Sequence, residues 1–198
     1  MSSQYALAAL ENAKILALYS SQSQVGKTTL AKYLEGNYGF FKISFAGAVR
    51  EKLRLMMESN PYINDPEELF ENLERDKTQI LPGTRMSYRD ALIHLGMSMR
   101  GISPDYWLWS FIEQINFHTS LFSTPIIVDD LRFQNEYDML KDVGAYKIKL
   151  ISTKRRGISY AQDGQLEHCK FDLILDTDNP KKYAILKELF TSRGFYEN

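Results

Sequence analysis

Apolar residues along this chain form short unbroken runs that alternate with stretches of helical spacing. Lys14 to Tyr19 (KILALY) is such a run and predicts a buried strand, while Leu30, Tyr33 and Leu34 share one helical face between Thr28 and Tyr38. Phe40 to Phe45 (FFKISF) predicts a second strand. Val49 to Met57, with Val49, Leu53, Leu55 and Met56, predicts a second helix. Asn60 to Gly83 breaks the pattern. Inside it, Asp65-Pro66-Glu67-Glu68 combines a cap, a proline at the first helical position and an acid three residues after the cap. A short polar helix is expected there, ended by Pro82-Gly83.

Leu92, Leu95 and Met99 put a helix over Tyr88 to Met99, and Ser103-Pro104-Asp105 caps a further helix rich in aromatic residues. Thr124 to Val128 (TPIIV) is short and apolar and runs into Asp129-Asp130, the pattern of a buried parallel strand with functional groups at its C-terminal end. Tyr146 to Ile151 and Asp172 to Leu175 are the last strands, and Asp178-Asn179-Pro180 is read as the cap of a closing helix. Strands separated by helices imply a parallel sheet with right-handed crossovers, five strands in a three-layer α/β/α arrangement. The polar segment from Ser152 to Lys170, with Lys154, Arg155 and Arg156, is expected to be a small lid.

Between the first strand and first helix lies Ser20 to Thr29, SSQSQVGKTT. It approximates G-x-x-x-x-G-K-[ST], in which backbone N–H groups wrap phosphates, the lysine reaches the terminal ones and the hydroxyl binds Mg2+. Ser21 stands where the first glycine is usual. Gly26, Lys27 and Thr28 supply the close approach, the charge and the metal ligand. The strand–loop–helix context predicts a nucleotide site and leaves the reaction open.

With 198 residues the chain fits one α/β domain, and its 44% apolar and 25% charged content is ordinary for a globular protein. A net charge of −1 argues against a general nucleic-acid or membrane surface, so small-molecule substrates are the expected partners. The single cysteine, Cys169, permits no intrachain disulfide and fits a reducing compartment. With no signal-like pattern in Met1 to Asn12, a soluble cytoplasmic protein is expected.

Phosphoryl transfer needs phosphates held in line, Mg2+, and positive charge where negative charge moves. Arg132, just past Asp129-Asp130, either supplies that charge or pairs with Glu136 one turn on. Asp130 is either a Mg2+ ligand through water or a helix cap. Arg89 and Arg100 are separated by about three helical turns, so they lie on one side of a helix and suit a second phosphate. Arg100 also suits dipole compensation near Gly101. Trp107 and Trp109 offer flat area for stacking a base, with one of them expected in the core. His94 and His118 have no metal-ligand spacing and are read as structural. The aromatic stretch from Tyr106 to Phe122 provides either core or a homodimer face.

Together these segments resemble the deoxynucleoside monophosphate kinases of tailed bacteriophages. The resemblance rests on the phosphate loop, Phe45-Ala46-Gly47-Ala48-Val49-Arg50 and Ser87 to Gly96. It continues through Arg100, Asp105-Tyr106-Trp107, and Val128-Asp129-Asp130-Leu131-Arg132-Phe133-Gln134-Asn135-Glu136. It implies a P-loop kinase of 1–198, with a core over 14–151 and 171–198, an acceptor-side insertion at about 60–122 and a lid at about 152–170. ATP and Mg2+ would be used, host cytoplasm would be the location if the protein is viral, and the product would be a deoxynucleoside diphosphate. By matched position, Ser23, Gly26, Lys27, Thr28 and Thr29 would bind ATP. Val49, Arg50, Arg89, Gly96, Arg100 and Trp107 would meet the monophosphate, with Asp130 and Arg132 at the floor of the site. Lys27, Arg132 and Asp130 would be catalytic, Thr28 and Asp130 the metal ligands, and Lys154, Arg155 and Arg156 the lid cations.

The sequence departs from that family where Thr28 replaces a frequent aspartate, where Gln134 replaces a frequent proline, and at Glu167-His168. Animal phosphomevalonate kinases are similar in the phosphate loop, in an arginine seven residues before a glycine and in Asp-x-Arg; they imply an isoprenoid phosphate acceptor. A nucleotide-binding module without phosphotransfer is the third reading. No Asn-Lys-x-Asp guanine motif occurs.

Overall fold

The computed structural model describes residues 13–58, 60–154 and 164–195. Strand β1, Ile15–Tyr19, is buried at every position, as its unbroken apolar run requires. It leads through helix α1, Lys27–Tyr38, to β2, Phe41–Ile43. Helices α2, Phe45–Met57, α3, Pro66–Arg75, α4, Tyr88–Ile102, and α5, Tyr106–Leu121, come next. Strand β3, Ile126–Val128, helix α6, Gln134–Asp142, strands β4, Tyr146–Ile151, and β5, Leu173–Asp176, and helix α7, Lys182–Arg193, complete the order.

The described strands form one five-stranded sheet in the order β2-β3-β1-β4-β5, parallel throughout. Adjacent strands β1 and β3 send their connections in opposite directions, β1 through α1 to β2 and β3 through α6 to β4. Right-handed crossovers then place α1 and α6 on opposite faces, which makes the three layers. Leu30, Ala31 and Leu34 of α1 and Leu186 and Phe190 of α7 pack in one cluster with Leu16, Leu18, Ile148 and Leu150 of the sheet. This is the α/β/α fold of P-loop proteins.

Two compact units divide the chain: Met1–Ser44 with Ile112–Asn198, and Phe45–Phe111. The whole second unit therefore falls in the connection between β2 and β3, opening at Phe45 rather than near residue 60. Its core joins Leu53 and Met57 of α2, Phe70 and Leu73 of α3, Leu81, and Tyr88 and Ala91 of α4. A second cluster joins Ala48, Val49 and Trp107.

Several boundaries differ from the sequence pattern. Phe45, read as the end of a strand, opens α2 and is buried against Phe111, ring centroids 4.0 Å apart. Helix α3 begins as expected, with Asp65 accepting from the Glu68 backbone N–H at 3.0 Å, but it stops at Arg75 rather than at Pro82-Gly83. Asp76 turns the chain there by accepting from the backbone N–H and hydroxyl of Thr78. Asp178 does not cap α7, whose N-cap is Lys181. Instead one Asp178 oxygen accepts from Ser152 Oγ, Thr153 N and Lys154 N, each at 3.0 Å. These donors, led by the Lys154 amide, hold the Asp178 carboxyl below the usual range.

Candidate functional site

In a doubly wound sheet, ligands sit beyond the C-terminal strand ends where the connections diverge. Here that point lies between β1 and β3, so the loops at 20–26 and 129–133 flank it. The first is the phosphate loop. Gly26 caps α1 with φ 98° and ψ 18°, a left-handed conformation open to glycine, and Gln24 also has positive φ, 61°. Between them Val25 is buried at 1% exposure and anchors the loop to the core. Alternating backbone hand of this kind turns successive N–H groups toward one concavity suited to an anion. Ser20 Oγ accepts from the Gln22 backbone N–H at 3.2 Å, bracing the entry to the loop.

Helix α1 adds its positive N-terminal end, and no acid occupies its first turn. Lys27 opens the helix, Thr28 and Thr29 are exposed, and Ser23 is half-buried. The five residues expected to contact ATP thus all lie on the loop and first turn.

Beyond β3, the adjacent aspartates separate. Side chains alternate along a strand, so Asp129 and Asp130 leave it on opposite sides. Asp129 is buried and pairs with Lys42 of β2 at 2.9 Å, whereas Asp130 is half-buried. Arg132 is half-buried. Glu136, the alternative ion-pair partner for its guanidinium, accepts from the backbone N–H groups of Arg132 at 2.9 Å and Phe133 at 3.1 Å. The carboxylate thereby caps α6 and shapes the turn that presents Arg132.

No cluster of three or more His, Cys, Asp or Glu able to hold a metal occurs among the described residues. Mg2+ brought by a nucleotide would keep waters and take only one or two protein oxygens besides phosphate. Thr28 and Asp130 offer such oxygens on the two loops that flank the switch point.

The remaining expected residues belong to the second unit. Arg50 of α2 pairs with Glu74 of α3, Nε to carboxylate 3.4 Å. Glu74 also takes the Tyr88 hydroxyl at 2.6 Å and Lys77 at 2.9 Å. Partial burial opposes its ionisation, but the Tyr88 and Lys77 hydrogen bonds and the Arg50 and Lys77 charges outweigh it and lower its pKa. Desolvation and Glu74 together push the Tyr88 phenol well above its ordinary value. Arg89 is exposed on α4, its backbone N–H bonded to Lys77 O at 3.0 Å, and Arg100 is half-buried in the last turn.

Trp107 and Val49 differ from the lining role expected of them. Trp107 is 2% exposed, its indole N–H donates to Gly96 O at 3.0 Å, and its ring packs with Val49. The Trp107 ring has no face left for stacking a base, and its indole holds the Gly96 carbonyl. Trp109 is the exposed tryptophan, at 58%. His118 is structural, as expected: 4% exposed, stacked on Phe41 at 4.0 Å and bonded to Thr124 at 2.8 Å. Lys154 is exposed, and Arg155 and Arg156 lie outside the described residues.

The pattern of residue types did not single out the pairing of Asp129 with Lys42, or Glu74, and it marked Glu167 only as a departure from the resembled family. Glu74 had one local signal, its helical spacing to Lys77. Glu167 had none, because its partners Tyr19 and Lys149 come from distant strands.

No family model matches the chain. Over 137 residues it is 28% identical to a protein of Acanthamoeba polyphaga mimivirus named "Putative deoxynucleotide monophosphate kinase", spanning 63% of this chain and 67% of that one. Among solved structures, a sugar kinase from Janibacter sp. HTCC2649 aligns over 94% of this chain and 99% of its own, with 16% identity and a TM-score of 0.46. Among the described residues no helix is long and apolar enough to cross a membrane.

Proposed function

We propose that this protein is an ATP-dependent kinase of deoxynucleoside 5′-monophosphates. The observation that carries the proposal is the pairing of two loops at the β1/β3 switch point: a Gly-Lys-Thr loop with left-handed Gly26, and an Asp-Asp-x-Arg loop after β3. The mimivirus relative supports the nucleotide part of the reading.

In this mechanism an oxygen of the acceptor 5′-phosphate attacks the γ-phosphorus of ATP, the bond to the β,γ-bridging oxygen breaks, and ADP leaves. Loop N–H groups and Lys27 hold the donor phosphates, and Arg132 stabilises charge on the moving phosphoryl group. Bound Mg2+ would neutralise phosphate charge, with Thr28 and Asp130 as its protein oxygens. Arg50 and Arg89 bind the acceptor phosphate, Arg100 assists them, and Glu74 keeps Arg50 in place.

The test is ADP formation from ATP with all common dNMPs, NMPs and phosphomevalonate as acceptors. Deoxynucleotide-dependent ADP release is expected. Turnover with phosphomevalonate alone would replace the acceptor class, and no acceptor-dependent release with any of them would leave a nucleotide-binding module.

A further inference from the structure

Helix α5 is apolar on two sides. Ile115 and His118 face inward and are buried, whereas Phe117 and Leu121, one turn apart, face outward. Phe122 follows them, and Phe41 of β2 stacks on His118 with ring centroids 4.0 Å apart, while His118 in turn meets the Phe122 ring at 5.2 Å. Phe41, Phe117, Leu121 and Phe122 thus form one continuous patch, with exposures running from 48% at Phe41 to 69% at Phe117. A helix with apolar residues on both sides is ordinarily covered on both.

The patch carries no charge. Gln114 to Val128 contains no Asp, Glu, Lys or Arg, in a chain where such residues make up 25%. His118 beneath the rings is buried, and that burial lowers its pKa, so it is mostly neutral at pH 7. Lys42, next to Phe41, is tied to Asp129. The nearest charged residue along the outer stripe of α5 is Glu113, a full turn before Phe117. Taking about 200 Å2 per side chain, the four exposed portions amount to roughly 450 Å2. That exceeds half of the roughly 800 Å2 buried by each partner of a stable pair. Exposed Ser120, Ser123 and Thr124 extend it with a neutral polar rim.

We propose that this patch is the interface of a two-fold homodimer, its occupant a second copy of the same chain. A two-fold contact sets each patch against itself, so any charge within it would meet its own like, whereas apolar and neutral polar groups meet no such penalty. A partner of other sequence would be selected by complementary charge, for which this surface offers no counterpart. Phe41 opens β2 and Phe122 precedes β3, so the patch sits at the N-terminal ends of these strands. The loops at 20–26 and 129–133 leave the C-terminal ends of β1 and β3, and pairing through the patch keeps both open. The pairing does not depend on the reaction proposed above.

Sedimentation equilibrium on the full chain, from roughly 0.1 to 100 μM, reads the mass in solution. Wild type is expected to reach the mass of two chains, with a dissociation constant of about 1 μM or tighter. Phe117→Glu, and separately Leu121→Glu, alter both halves of a two-fold contact at once and should weaken association by about 100-fold or more. Both side chains are exposed, so circular dichroism of each variant should match that of wild type. Ile174→Glu changes an exposed apolar residue of β5, on the other edge of the sheet, and should leave association within about twofold. A wild-type chain with the mass of one copy throughout that range would overturn the proposal, whether another protein or another segment of this chain covers the patch. So would a dimer that Phe117→Glu and Leu121→Glu leave intact, or one that Ile174→Glu alone disperses. None of these outcomes bears on phosphotransfer, which acceptor-dependent ADP release measures separately.

Discussion

Lys42 and Asp129 form a 2.9 Å ion pair between neighbouring strands β2 and β3, with the carboxylate buried. The pair commits Asp129 to the sheet and separates its role from that of Asp130. Asp129→Asn should lower stability by about 1–2 kcal/mol, because Lys42 is partly exposed and the loss is softened by solvent. Asp130→Asn should leave stability nearly unchanged and lower kcat by roughly 10²-fold. Urea unfolding and turnover measured on both variants decide the matter; the opposite assignment follows if D129N alone loses turnover.

Lys27→Met should cut phosphotransfer by roughly 10³-fold with circular dichroism and unfolding midpoint unchanged. Lys27 begins α1 beside Gly26 and contributes no residue to the core cluster. Near-normal turnover in this variant would remove the phosphate loop from the mechanism.

Tyr88→Phe keeps the buried ring that packs on Phe70 and removes the 2.6 Å hydrogen bond to Glu74. A loss of about 1–2 kcal/mol in stability is expected, since the acceptor is charged. With Glu74 less firmly held, KM for the acceptor should rise and KM for ATP should not. Equal changes in both constants would separate the Glu74–Arg50 pair from acceptor binding.

Burial lowers the pKa of His118, with the Thr124 contact opposing it. The unfolded chain therefore takes up a proton at a higher pH than the folded one. Stability from neutral His118 is complete above its unfolded value, about 6.5, and is lost as pH falls through the lower folded value. Between pH 7.5 and 5 the urea midpoint of wild type should drop more steeply than that of His118→Gln. Parallel slopes would show that other groups account for the decline.

What the sequence made legible follows from how local each signal is. The β1 run and Gly26-Lys27-Thr28 are self-contained, since a strand buried on both faces and a loop that needs glycine leave a residue-by-residue trace. Asp65 likewise announced α3 through its own cap. Asp178 misled because the same residue type that caps a helix also accepts backbone N–H groups from a distant turn, here 152–154. Trp107 and Trp109 have indistinguishable local settings, and only tertiary packing buries one and exposes the other. Helix α6 left little pattern because its start is stabilised by Glu136 reaching back, in a segment read for its chemistry. Glu167 meets Tyr19 and Lys149 from two distant strands, contacts that leave no local pattern.

The placement of Phe45–Phe111 wholly between β2 and β3 has a consequence for inheritance. On the proposed reading, the code for what is phosphorylated occupies one uninterrupted block, while the code for ATP lies before and after it. A single exchange of that block between relatives could give the chain a new acceptor in one step, with the nucleotide loop, the five-stranded sheet and the Lys42–Asp129 pair carried over untouched.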